Sequence, residues 1–145
     1  MAVITNRWQS ERGAELIEFA VVLPLLLLLI AGVVDFGMMF RTYEAVTNAA
    51  REGARVAILP GYDVPDVQTR VNAYLTASGL NTVTPQVTDV TVATGAGTFN
   101  AKRVNVNYTY SFAVLGIAAP LFGGNFGSIT LNAVSVMRAE TQAAP

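Results

Sequence analysis

Between Phe19 and Phe40 the chain runs for 22 residues with a single charge, Asp35, and its centre reads Leu25-Leu26-Leu27-Leu28-Leu29-Ile30. About 20 apolar residues cross a bilayer core of roughly 30 Å as a helix, so this segment is a transmembrane or filament-core candidate. A cleaved secretory signal is the competing reading. Such a signal has a shorter apolar region of about 7–15 residues and ends at a small-x-small site. Here the run is longer, and Asp35-Phe36-Gly37-Met38-Met39 offers a poor cleavage context.

The helical pattern extends past the apolar run. Arg41 to Leu59 contains no proline and one glycine, Gly53, before Pro60-Gly61 stops it. A single helix from Ala14 to Leu59 would be about 69 Å long, far more than a bilayer needs. Pro24 removes one of its backbone hydrogen bonds, which predicts a kink or local melting. In the distal half, Ala45, Ala49, Gly53 and Ala57 recur every four residues. Such a strip lets another helix approach closely. The alternative is helix propensity alone, but Gly53 costs about 1 kcal/mol in a helix interior, which favours a packing role.

Composition removes most chemistry. The chain has no cysteine and no histidine, which excludes disulfides, thiol nucleophiles, His-based acid–base pairs and most zinc or haem sites. Charged residues make up 13% of it, against about 25% in an ordinary soluble domain. A net charge of −1 argues against nucleic acid as partner. Asp63, Asp66, Asp89, Lys102 and Arg103 are the remaining candidates for catalysis, and nothing pairs them at catalytic spacing. Lys102-Arg103 reads as a solvated edge charge opening a strand. No enzyme activity, cofactor, metal or small-molecule substrate is expected.

Beyond Pro60 the pattern changes. Asp63 as N-cap, Pro65 and Asp66 in the first turn, and Val67, Val71 and Tyr74/Leu75 at helical spacing predict a short helix over 64–78, with Gly79 as its cap. Val104, Val106, Tyr108, Tyr110, Phe112 and Val114 alternate with polar or small residues as a strand. Ile129, Leu131 and Ala133 give a second alternating run. Its phase shifts at Val134 and Val136, which predicts a bulge or slip. Val87–Val92 forms a third, Thr-rich strand, and 93–100 reads as the loop after it. The 115–127 connection is apolar for a loop. It could lie on a membrane surface, on a neighbouring subunit or against the long helix. Three strands and a short helix are marginal alone, so the outer half of the long helix should cover the sheet through residues such as Tyr43, Val46 and Val56. The expected fold is α+β: one small antiparallel head with a protruding helical stalk.

Ahead of the apolar run stands Arg12-Gly13-Ala14-Glu15-Leu16-Ile17-Glu18-Phe19. It resembles the processing site of type IV pilin-like precursors, in which a leader ends in Gly and the mature chain has Glu as its fifth residue. Glu18-Phe19 is similar to the Glu-aromatic pair of Flp-type pilins of the tight-adherence (Tad) system. The run Glu18 to Leu27 with its Pro24, then Gly32 and Gly37, then Ala49-Ala50-Arg51-Glu52-Gly53-Ala54-Arg55, resembles the TadE family of pseudopilins, as does the strand-rich tail ending Met137-Arg138-Ala139-Glu140.

The resemblance implies a pilin-like division into a leader (1–13), a long helix (14–59) with its span at about 19–40, and a head (60–145). It implies that a prepilin peptidase cuts between Gly13 and Ala14. Glu18 would then pair with the new amino group of a neighbour, with Phe19, Pro24 and the Ala45/Ala49/Gly53/Ala57 strip in helix–helix assembly. Other pilin subunits, the peptidase and the bacterial inner membrane are the implied partners. The N-terminus would be cytoplasmic and the head periplasmic, or extracellular once in a filament. The size of the head favours a minor pilin over a bulk shaft subunit. The alternative is an uncleaved, helix-anchored envelope component, for which Asp35 facing a partner helix is the best clue.

Overall fold

One helix dominates the chain. α1 (Arg7–Ala57) runs through both Gly13 and Pro24 without interruption, so the proline costs a hydrogen bond without ending the helix. The computed structural model describes residues 7–95, 97–118, 123 and 127–139. After α1 come α2 (Val64–Ala77), β1 (Gln86–Thr94), β2 (Gly97–Ser111), the single turn α3 (Leu115–Ala118) and β3 (Ser128–Arg138). This is the α+β, pilin-like arrangement expected: a long helix, a small antiparallel sheet and short helices.

Capping explains the edges of α2. The Asp63 side chain accepts from the Asp66 amide while the Asp66 carboxylate accepts from the Asp63 amide, closing a capping box at the predicted start. At the other end Gly79 takes φ +76°, a left-handed conformation that glycine adopts without a Cβ penalty.

The three strands form one antiparallel sheet in the order β1-β2-β3. Three expectations are corrected. First, β2 begins at Gly97, and its pairing with β1 runs out to Thr94–Gly97, so most of the loop expected at 93–100 is strand. Second, β3 pairs with β2 in unbroken register from Ala101–Arg138 to Ser111–Ser128, with no bulge. Val134 and Val136 are simply on the sheet's open face, at 52% and 44% exposure, while Leu131 and Ala133 face the core. Third, Lys102 is not an edge charge: it lies within the central strand, opposite Asp89 of β1, and the two form an ion pair.

The core gathers Val46, Ala49, Ala50 and Ala54 from α1 with Val67, Val71 and Leu75 from α2 and Val104, Val106 and Ala133 from the sheet. The outer half of α1 therefore covers the sheet, as expected. Val46 is fully buried and Val56 packs against the core, but Tyr43 points away and is 43% exposed.

Candidate functional site: an apolar rod and the collar at its base

Two parts of α1 differ in what surrounds them. From Leu16 to Val34, twelve large apolar side chains are about half exposed or more, and they occur on every side of the helix. The most apolar 18-residue window of α1 has a mean hydropathy of 2.8 and no buried residue. Transferring a Val, Leu, Ile or Phe side chain out of water is worth roughly 1.5–3 kcal/mol, so leaving the rod in water forgoes on the order of 20 kcal/mol. That exceeds the roughly 5–15 kcal/mol stability of a whole domain. A helix like this is a candidate membrane anchor, and only lipid or neighbouring apolar helices can satisfy it.

The segment bare on all sides ends at Asp35, beyond which Phe36, Met38 and Phe40 remain exposed on one part of the helix. Asp35, the charge inside the apolar run, is fully buried. Its Oδ2 accepts hydrogen bonds from the amides of Val114 and Leu115 at 2.9 and 2.8 Å, where the chain leaves β2 and enters α3. Oδ1 has no partner among the described residues. The Tyr110 hydroxyl donates to the Asp35 carbonyl at 3.4 Å, and burial, reinforced by the Asp35 carboxylate, raises that phenol above its ordinary pKa of 10.0. Phe112 stands edge-on to both Phe36 (5.7 Å) and Tyr110 (5.3 Å). These contacts make a collar that clasps α1 from Gly32 to Phe36. The described start of the 115–127 connection thus lies against the long helix; its Leu121, Phe122 and Phe126 fall outside the described residues.

Below the collar, Ala14 to Val34 is about 21 residues, or ~31 Å of helix, close to the thickness of a bilayer core. Asp35 serves a different purpose from the one its position suggested: it faces the chain's own head rather than a separate partner helix.

The processing and assembly residues fall into two groups. Gly13 and Ala14 lie within α1, Glu18, Phe19 and Pro24 are exposed on the rod, and Phe19 is 59% open. The strip above the collar has a different neighbour from the one expected. Ala49 and Gly53 are fully enclosed, Ala57 is 8% exposed and Ala45 is half-buried, so the element that approaches them is this chain's own head. A Cβ on Gly53 would stand 2.5 Å from Val71 Cγ2, 3.3 Å from Val104 Cγ1 and 3.4 Å from Val67 Cγ1. Glycine is therefore required for α1 to touch α2 and β2 at once. The sequence held both halves of this contact, the strip on α1 and the Val67/Val71 pair on α2, but not their pairing.

The polar residues of the same block tie the helices together outside. Glu52 accepts from Arg55 one turn on at 3.2 Å and from Arg70 of α2 at 3.0 Å. The Arg70 hydrogen bond, with the charge of Arg55, lowers the Glu52 carboxyl from its ordinary pKa of 4.5. Arg51 and Arg55 are exposed, as a solvated helix face requires. Of the acidic and basic candidates for catalysis, Asp89 and Lys102 meet as a structural ion pair and Asp63 and Asp66 meet in the capping box of α2. Among the described residues no cluster of three or more potential metal ligands occurs.

No curated protein and no solved structure shows significant similarity to the chain. One family model does match, over residues 13–55: the family described as TadE-like protein. The matched segment takes in the whole rod, the collar position Asp35 and the Ala49–Arg55 block. The match covers the long helix and stops short of the head, and it is to the family that the Gly13-Ala14, Pro24 and Ala-Ala-Arg-Glu-Gly-Ala-Arg motifs resemble.

Proposed function

We propose that this protein is a structural subunit, a minor pilin or pseudopilin, of a Tad-type adhesion pilus or secretion filament. The observation that carries the reading is the bare apolar rod below Asp35, of bilayer length, in the segment matched by the TadE-like family. In the membrane the rod is solvated by lipid, with its N-terminus cytoplasmic and the head periplasmic. A prepilin peptidase cuts after Gly13 and exposes the Ala14 amino group. Assembly then exchanges lipid for neighbouring rods.

Glu18 sits about 6 Å along the helix from Ala14, one turn after Glu15, and no charge follows it up to Asp35. A carboxylate entering hydrocarbon needs a partner, and the amino group of a neighbouring Ala14 supplies one. Pairing between subunits in this way sets their axial register. The small-residue strip takes no part in that exchange, since the head already fills it.

Replacing Glu18 by Ala tests the mechanism: membrane insertion and head folding should be unchanged while incorporation into filaments or pilus complexes falls. Normal incorporation of that variant would sink the pairing. A second reading, an uncleaved anchor binding pilus or secretion machinery, is favoured by one observation. α1 passes through Gly13 without a break, so the Gly13–Ala14 bond lies within helix.

A further inference from the structure

We propose that the Val114–Ile117 turn is a second, shallow membrane contact that seats the head on the lipid surface; the proposal rests on the reading of α1 as a membrane-spanning helix. The turn combines exposure with a fixed height. Ile117 is 79% and Val114 41% exposed, while Leu115 is anchored beside α1, its Cδ2 4.0 Å from the Cβ position of Gly32. Gly32 is two residues short of Val34, about 3 Å inside the hydrocarbon edge if Ala14–Val34 spans the bilayer. Ile117 is thus held at the level where acyl chains begin, at about the height of α1 where Val33 and Phe36 are exposed.

The polar groups of the turn suit that level. Backbone amides entering lipid must be satisfied within the protein. Three of the turn's four amides have partners: those of Val114 and Leu115 donate to the buried Asp35 carboxylate and that of Ile117 donates to the Val114 carbonyl at 3.1 Å. Asp35 thereby satisfies two donors and keeps its own charge out of contact with lipid. No Asp, Glu, Lys or Arg occurs from Val104 to Met137. The first cation beyond Gly32 on α1 is Arg41, exposed and about 13 Å further along the helix, which is headgroup height.

The chain has no cysteine, so single-cysteine variants of the full chain report one site each. Leu25→Cys, Ile117→Cys and Thr69→Cys, labelled with an environment-sensitive fluorophore, would be reconstituted in phosphatidylcholine/phosphatidylglycerol vesicles carrying nitroxides at shallow or deep acyl positions. The expected result is a blue-shifted, quenched signal at Leu25, strongest with the deep nitroxide. Ile117 should also be shifted and quenched, but more by the shallow nitroxide, and Thr69 on the far side of the head should remain unquenched. Water-like emission at Ile117 with Leu25 quenched would overturn the membrane contact and leave the spanning helix intact. An unquenched Leu25 would overturn both.

Discussion

The two halves of α1 are one continuous helix with opposite solutions to the same problem. Below Asp35 most side chains are large and apolar, they occur on all sides, and nothing among the described residues covers them. Above it they are Ala and Gly on one face, and that face is the centre of the core. Large side chains make a helix that many different neighbours, lipid included, can solvate without a specific fit. Small ones make a surface that a single, closely matched partner can approach, here α2 and β2. Asp35 marks the changeover, as an ion whose ligands are backbone amides of the head.

The comparison predicts unequal responses to substitution. Gly53→Leu should destabilise the head most, by about 3 kcal/mol, the upper end of what overpacking a core costs. The roughly 1 kcal/mol gained in helix propensity does not offset it. Thermal unfolding of the detergent-solubilised full chain, followed by near-ultraviolet tyrosine signal, measures this. Leu26→Ala on the rod, read by the same signal, should leave the midpoint unchanged. Equal destabilisation by the two substitutions would erase the distinction between the halves.

Asp35→Ala tests the boundary itself. It orphans the Val114 and Leu115 amides, at a cost of about 2 kcal/mol. The loss should be local, visible as faster hydrogen exchange at those two amides and the Tyr110 region, with the Val67–Leu75 core still protected. Uniform acceleration across the head would show that the collar is part of the core.

The smallest effect concerns the Glu52 ion cluster. Its carboxyl has a lowered pKa in the folded chain, so its contribution is present above the ordinary value of 4.5 and is lost as pH falls through the lower, folded value. Glu52→Gln should therefore be slightly less stable than the parent at neutral pH, and the difference should vanish well below pH 4.5. A difference that persists in acid would mean that the side chain acts through packing.

Much of this division was legible in the residues. The rod announced itself by length and lack of charge, α2 by its capping residues and apolar spacing, and the strands by alternation. The errors have separate causes. Pattern reading assumes that an apolar residue faces the core, so Val134 and Val136 suggested a bulge where the register is regular and the residues lie on the open face. Asp35 was recognisable as a charge needing a partner. Its ligands were not recognisable, because backbone amides leave no mark on a sequence. The strip around Gly53 signalled close approach without saying by what. That depended on bringing Val71 and Val104 against it, which is tertiary information.

The most direct test of the subunit role is the intact mass of the protein recovered from native envelopes. The account predicts a chain beginning at Ala14, with residues 1–13 removed and the amino group that pairs with Glu18 free. A full-length mass would contradict it, leaving a permanently anchored envelope component whose head and collar are as described.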